Sequence, residues 1–313
     1  MTDPRFAEGT AFIDGEYVPV REARIPILDY GFLRSDATYD VAHVWKGYVF
    51  RLADHLDRFE RNVAALRMRL PLSRDAVRGV LMECVRRSGL RDAFVHMTCT
   101  RGLPARGSRD PRKCENRFYA FAIPFVWIAT EEQRAKGLHL HISSIQRIPR
   151  ASVDPTVKNF HWIDLTRGLF EAYDSGAEVE VLVDGEGNVT EGPGFNLFVA
   201  AGGRLATPAA GVLDGMTRRT VFDLCRDINL GVDAETIPVE RVRRGDEVFI
   251  TSTAGGIMPV TKIDGVPLGD GKPGPLTKQL HDLYWSRKAA GWLGTAIDYD
   301  EPMRGVAASK SER

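Results

Sequence analysis

Lysine is the scarce cation of this chain: nine of its 42 basic residues are lysines and the rest are arginines. Lys158 stands out because the string SVDPTVKNFHW surrounds it with Val157, Phe160 and Trp162 at an expected strand-to-helix junction. A lysine that attacks a carbonyl as a free amine must sit in a partly desolvated pocket, where the ammonium form is disfavoured. Apolar neighbours meet that requirement, although a snorkelling surface lysine fits the same string. Glu191 lies in TEGPGFN after an expected hairpin strand, lined by glycines and followed by Phe195 and Asn196. A carboxylate so placed would hold a protonated ring nitrogen; the competing reading is a glutamate that caps a turn. Arg51, in YVFRLADHL, stands between a strand and a helix. Its planar fork suits a bound phosphate, and it suits a surface ion pair as well.

Two further strings offer anion chemistry. Leu213-Asp214-Gly215-Met216-Thr217-Arg218 opens an amphipathic segment. The first amide N–H groups of a helix lack intrahelical partners, and with the helix dipole they make an anion site. Asp214 as a plain N-cap is the rival account. Ser252-Thr253-Ala254-Gly255-Gly256, at a strand end, offers hydroxyls and free N–H groups for the same purpose. Neither a GxGxxG nor a Walker loop is present, which argues against dinucleotide or ATP binding. His139 and His141 alternate on one strand face, but with no third ligand in view they are expected to face solvent, and no metal is expected.

The elements that must position these residues fall into two halves. In the first, Phe12–Val18 with Asp14-Gly15 inside it reads as a hairpin. Asp54–Met68 and Ser73–Ser88 carry apolar residues at helical spacing, the second with Ser73 as N-cap, and strands are expected near Ala93–Thr100 and Arg117–Phe125. The charged stretch Thr130–Gly137 (TEEQRAKG) is the candidate linker, dividing 1–129 from 138–313. Beyond it come a strand at Leu138–Ile145, a helix over His161–Asp174, and hairpins at Val179–Thr190 and Phe195–Thr207. Thr217–Asn229 reads as an amphipathic helix, Val248–Thr253 as a strand and Gly269–Pro275 as a loop, and the residues after about Val306 are expected to be disordered.

Composition narrows the class. Formal charge is zero, with 43% hydrophobic and 27% charged residues, so no global field recruits nucleic acid or a membrane surface. Cys84, Cys99, Cys114 and Cys225 form no C-x-x-C pair. The longest apolar stretch, Tyr119–Ala129, is too short to span a bilayer. A soluble, cytoplasmic protein with two α/β-type domains is the expectation.

Together and in this order, RLADHLDRF, VKNF, TEGPGFNLF, LDGMTR and TSTAGG resemble the fold-type IV enzymes that use pyridoxal 5'-phosphate, the family of branched-chain and D-amino-acid aminotransferases. The resemblance runs from about Phe12 to Trp285. It implies a small α/β N-terminal domain and a larger C-terminal domain with a β-barrel-like core. It implies Lys158 as the Schiff-base lysine and Glu191, with Phe195 and Asn196 beside it, as partner of the pyridine nitrogen. Arg51, Met216, Thr217, Ser252 and Thr253 would surround the phosphate, with Leu213 against the ring face.

Within the family, DYGFLRSDATYDVAHVWKG and VKNFHWIDL look closest to the (R)-selective amine transaminases, which pass nitrogen between (R)-amines or D-alanine and ketones or pyruvate. Tyr39, Val41, Phe94, Trp162 and Ala254 would then shape the substrate pocket, and Arg106 would meet a keto-acid carboxylate from a loop. A homodimer is implied, with sites at the subunit interface and Arg34 or the Arg106 loop as candidates to serve the neighbour. Several positions depart from the pattern, among them Phe160 and Trp162, where branched-chain enzymes carry a Tyr shortly after the lysine. Phe94-Val95-His96 replaces a Tyr-x-Arg strand, Pro193 and Asp214 replace other residues in the cofactor strings, and Ala42 replaces a larger residue, which implies a roomier pocket. Branched-chain or D-amino-acid transamination, an aminodeoxychorismate-lyase-like reaction, and a non-catalytic binding role remain as alternatives.

Overall fold

The computed structural model describes residues 8–300. The chain divides into two compact units. One comprises the chain up to Val126, the short stretch Lys158–Phe160 and the chain from Gly291 onward; the other comprises Trp127–Val157 and His161–Ala290.

The first unit is built on a seven-stranded sheet. Its elements are β1 (Thr10–Ile13), β2 (Glu16–Pro19), α1 (Tyr30–Arg34), β3 (Ala37–Trp45), β4 (Tyr48–Phe50), α2 (Leu52–Ala65), α3 (Arg74–Ser88), β5 (Ala93–Pro104), β6 (Cys114–Pro124) and β15 (Gly294–Ala296). Strand order is β15-β4-β3-β5-β6-β1-β2, antiparallel throughout. The β1–β2 hairpin turns at Asp14-Gly15, as its sequence implied, with both residues in the left-handed region that Gly and Asp tolerate. Strand periodicity puts Ala42 and Val44 of β3 and Val95 and Met97 of β5 on one face, under Leu56, Phe59 and Val63 of α2 and Val77, Leu81 and Val85 of α3. Ala42 is therefore fully buried core, and it enlarges no pocket. Ser73 caps α3, accepting from the N–H of Ala76.

The second unit holds the other sheet, a half-barrel with strand order β11-β10-β9-β12-β13-β7-β8 and β14 paired to β13. In chain order it contains α4 (Glu131–Lys136), β7 (Leu138–Gln146), α5 (Ile163–Asp174), β8 (Val179–Val183), β9 (Asn196–Ala201), β10 (Arg204–Pro208), α6 (Met216–Asp227), β11 (Val232–Glu235), α7 (Val239–Arg243), β12 (Glu247–Ser252), β13 (Gly256–Ile263), β14 (Val266–Pro267) and α8 (Pro275–Ala289). The stretch expected as a linker is α4, closed by a capping box between Thr130 and Gln133. The expected hairpin after β8 returns as a single bridge, Val183 to Val189, rather than a second strand. Leu140, Val181, Leu197, Val199, Val248, Ile250 and Val260 form the core of this unit. His139 and His141 do not simply face solvent: Gly265 N–H donates to His139 Nε2 at 2.9 Å, and His141 Nδ1 lies 3.0 Å from Asp264. Among the described residues no helix is long and apolar enough to cross a membrane, and no cluster of three metal-ligating side chains occurs.

Candidate active site

In the first unit, the face of β3 and β5 opposite the helices carries Tyr39, Val41 and His43 paired across with Thr98, His96 and Phe94. This face is aromatic. Tyr39 stacks on His96 at 5.1 Å between centroids and tilts against Phe160 at 5.0 Å, while His96 stacks on Phe121 at 4.6 Å. Lys158 is pinned here by its backbone, because its carbonyl accepts from Thr38 Oγ1 at 2.6 Å and from the Tyr39 N–H at 3.2 Å. Its Nζ lies over the Tyr39 ring, 4.4 Å from the centroid. Burial pushes the His96 imidazolium down to about 3, and Lys158 adds to that shift, so the ring is neutral. Thr98 Oγ1 lies 3.1 Å from His96 Nδ1 and fixes the ring edge.

Beneath this face lies a fully buried charge cluster. Asp40 accepts from Arg58 Nε at 2.7 Å and Arg58 Nη2 at 2.8 Å, and Nδ1 of His55 stands 2.7 Å from it. Burial would raise the Asp40 carboxyl, but Arg58 and His55 together hold it far below the usual carboxylate range. The cluster ties β3, which carries Tyr39, to α2, whose first turn carries Arg51. Arg51 occupies the N-cap position in the left-handed region (φ 52°) and is only 5% exposed. Its Nη1 donates to Asp54 at 2.7 Å, so the ion pair anticipated at the surface is half-buried, with its guanidinium covered and its carboxylate partly exposed. Phe94 and Val41 are half-buried on the aromatic face. Arg106 is exposed at the turn after β5, and Arg34 rests with its guanidinium 3.6 Å from the Tyr30 ring centre.

The second unit gathers the other set. Glu191 is 7% exposed; it accepts from Arg147 Nη2 at 3.1 Å and from the Leu213 N–H at 2.8 Å. Arg147 also donates through Nη1 to Asp164 at 2.6 Å. Burial alone would lower the Arg147 pKa, but Glu191 and Asp164 hold it above the usual guanidinium value. Asn196 Nδ2 donates to the Leu213 carbonyl at 2.8 Å, so the Leu213 backbone is fixed at both ends. The chain then enters α6 at Gly215, which supplies no side-chain cap. Asp214 is not the N-cap; it pairs with Arg218 at 3.2 Å. A Cβ on Gly215 would fall 2.1 Å from Asn196 Oδ1, so only glycine lets the helix start this close to the strand. The amides that open α6 follow directly, at buried Met216 and Thr217. Ser252 Oγ donates to the Gly194 carbonyl at 2.8 Å and accepts from the Ala254 N–H at 3.1 Å, with Thr253 in the turn between. Phe195 is buried, and Trp162 stands at the N-cap of α5, 3.6 Å from where a Cβ on Gly194 would lie. Pro193 leads a Gly192–Phe195 turn with Gly194 at φ 80°, the arrangement in which proline needs no N–H.

Sequence reasoning singled out neither Arg147 nor Asp164, each one of many like residues with no motif around it. His96 shows in the sequence only as part of the Phe94-Val95-His96 replacement. Its partners Tyr39 and Phe121 lie on other strands, so only the register reveals the stack.

A family model described as amino-transferase class IV matches residues 37–263. A putative branched-chain-amino-acid aminotransferase of Methanocaldococcus jannaschii is 30% identical over 87% of this chain and 94% of its own length. A D-alanine aminotransferase of Staphylococcus haemolyticus is 26% identical over 87% of this chain and 95% of its own. Among solved structures, the T.th. branched-chain amino acid aminotransferase with pyridoxamine 5'-phosphate aligns with a TM-score of 0.86 at 27% identity, covering 93% of this chain and 99% of that one. The family match and these relatives define an aminotransferase. The chain belongs to the amino-transferase class IV family, as its sequence strings implied.

Proposed function

We propose that this protein is a pyridoxal-phosphate-dependent transaminase that moves an amino group between an (R)-amine or D-alanine and a ketone or keto acid such as pyruvate. The residues present fit the cofactor. Lys158 offers an amine on an aromatic face, Glu191 offers a buried carboxylate for the ring nitrogen, and the glycine-gated start of α6 offers helix amides for the phosphate, with Arg51, Ser252 and Thr253 as further partners. When bound, the cofactor supplies an electron sink for the carbon that loses its proton. Lys158 Nζ, held over the Tyr39 ring, would serve as the base that moves that proton. Glu191 would hold the proton of the ring nitrogen, and Arg147 keeps Glu191 in place.

The observation that carries the donor preference is the neutral, aromatic lining beside Lys158. Tyr39, Val41, Phe94 and neutral His96 give this face an apolar, aromatic surface, which supports that preference. Such a lining favours an aryl or alkyl amine over a donor that needs its carboxylate paired at that place. Arg106 is the candidate for the keto-acid carboxylate, and Trp162 and Ala254 are further candidates for contact with the substrate. The resemblance to branched-chain and D-alanine aminotransferases keeps amino-acid donors as the second reading. We infer a homodimer as the active unit, a reading supported by the exposure of the apolar Ile27, Leu28 and Phe32, at 72%, 61% and 62%.

A donor panel tests the reading: both enantiomers of 1-phenylethylamine, D-alanine, L-leucine and aminodeoxychorismate, each followed by loss of bound-cofactor absorbance. Fast reaction with the (R)-amine and D-alanine is expected. Faster reaction with L-leucine would replace this reading by the branched-chain one. Lys158→Ala should abolish turnover with every donor.

A further inference from the structure

Strand β8 runs Val179-Glu180-Val181-Leu182-Val183, and its one charged residue is fully buried. Neither Glu180 carboxyl oxygen has a hydrogen-bond partner, and among its surroundings Arg147 Nε is also buried and unpartnered. The carboxyl lies under α5: a Cβ on Gly168 would stand 3.2 Å from Glu180 Cδ and 3.2 Å from Ser143 Oγ. The ionisable groups bearing on it are Asp164 and Glu171 from α5, Arg147 from the end of β7, and Glu191, with His141 its register partner on β7. Three of these are carboxylates, and the one guanidinium already serves Asp164 and Glu191. A carboxylate held there without a single donor is untenable in physical terms, so Glu180 is a neutral acid.

We infer that Glu180 is a positioning residue for the aminotransferase site: its uncharged carboxyl leaves the single charge of Arg147 to Asp164 and Glu191, and loss of its proton would draw the Arg147 guanidinium, and with it Nη2, away from Glu191. This rests on the reading of Glu191 as partner of the ring nitrogen. The proton lost goes to solvent base, and no other bond changes. Burial, with Asp164 adding to it, pushes the Glu180 carboxyl up to about 9, so the neutral form persists at neutral pH and fails only on the alkaline side.

Glu180→Gln keeps the shape and the neutral state. In the chain without cofactor, carbon NMR of labelled glutamate carboxyls should show one group titrating near pH 9, absent from the variant. A group whose acid form is favoured by folding loses stability as pH rises from its unfolded value to its folded one. The melting temperature of Glu180→Gln should therefore match the wild type near pH 4 and exceed it increasingly toward about pH 9. In the holoenzyme, the alkaline fall in kcat and the accompanying change in cofactor absorbance should move to higher pH in the variant. A Glu180 resonance titrating in the ordinary carboxyl range overturns the proposal outright, and this arm needs no variant that folds. An alkaline limb identical in wild type and Glu180→Gln overturns the coupling to Glu191. The underlying reading of Glu191 is tested separately by Glu191→Gln through cofactor absorbance; its failure leaves the titration of the cofactor-free chain unchanged.

Discussion

The Nζ of Lys158 stands 4.4 Å from the centre of the Tyr39 ring. A cation over an aromatic face is stabilised by about 0.5–2 kcal/mol, more as water is excluded. The ring thus gives the amine a resting place when it is not bonded to anything else. Tyr39→Phe keeps the face and should change kcat/KM less than about threefold, whereas Tyr39→Ala should lower it by about tenfold, the rate equivalent of about 1.4 kcal/mol. Steady-state kinetics with one amine donor checks both. Equal loss in the two variants would assign the role to the hydroxyl instead.

The glycine at the start of α6 is a steric gate. At Gly215 an added Cβ would fall 2.1 Å from Asn196 Oδ1, and Asn196 also fixes the Leu213 carbonyl. Gly215→Ala should therefore shift the helix start and weaken cofactor binding by at least about tenfold, with little loss of fold stability because α6 keeps its buried Val221 and Leu224. Fluorescence titration of the cofactor-free protein with pyridoxal phosphate measures the first effect, and thermal melting the second. Unchanged affinity would move the phosphate elsewhere.

Asp40 sets an acid limit on stability. Because Arg58 and His55 hold its folded pKa below the unfolded value, the cluster stabilises the fold above about pH 4 and loses that contribution as pH falls further. Asp40→Asn should destabilise the protein by about 3–5 kcal/mol near neutrality, since it strands the Arg58 charge in the interior. The variant's urea midpoint should then vary less than the wild type's between about pH 2 and about pH 5. Parallel pH profiles for the two proteins would show that other groups govern acid unfolding.

How far the sequence carried depended on whether a feature is local. The helix over Arg74–Ser88 was legible from its apolar spacing and Ser73 cap, and the β1–β2 hairpin from Asp14-Gly15. Helix α8 was not, because its buried stripe runs Thr277, Leu280, Tyr284 and Lys288, half of it polar, which hides the helical period. The charged stretch 130–137 reads as a linker because it carries no apolar period, yet a capping box makes it a short, exposed helix. At the site, Lys158, Glu191 and the LDGMTR turn sit in compact strings. Arg147 and Asp164 lie 17 residues apart and meet only after β7 and α5 have packed, which leaves no spacing to read. Glu180 is the local exception, since a glutamate within the five-residue apolar strand Val179–Val183 is visible in the sequence itself.

Position 96 offers the sharpest test of donor choice. His96 is held between Tyr39 and Phe121 with Thr98 at its Nδ1, and burial keeps it neutral down to about pH 3. No pH dependence between about 5 and 8 should therefore arise from it, and His96→Gln should leave the shape of the pH–kcat/KM profile unchanged across that range. His96→Arg would place a permanent cation on the same face, close enough to Lys158 to be felt, because Lys158 already contributes to the His96 shift. A charge-assisted hydrogen bond is worth about 1.5–3 kcal/mol, so carboxylate-bearing donors should gain on neutral ones by about tenfold or more. The ratio of kcat/KM for D-alanine to that for (R)-1-phenylethylamine, measured in wild type and variant, reads this directly and cancels any common loss from poorer stacking. A ratio that stays constant would mean that the donor's side group never reaches the β3–β5 face, and the preference proposed for uncharged amines would have to be sought at Trp162 and Ala254 instead.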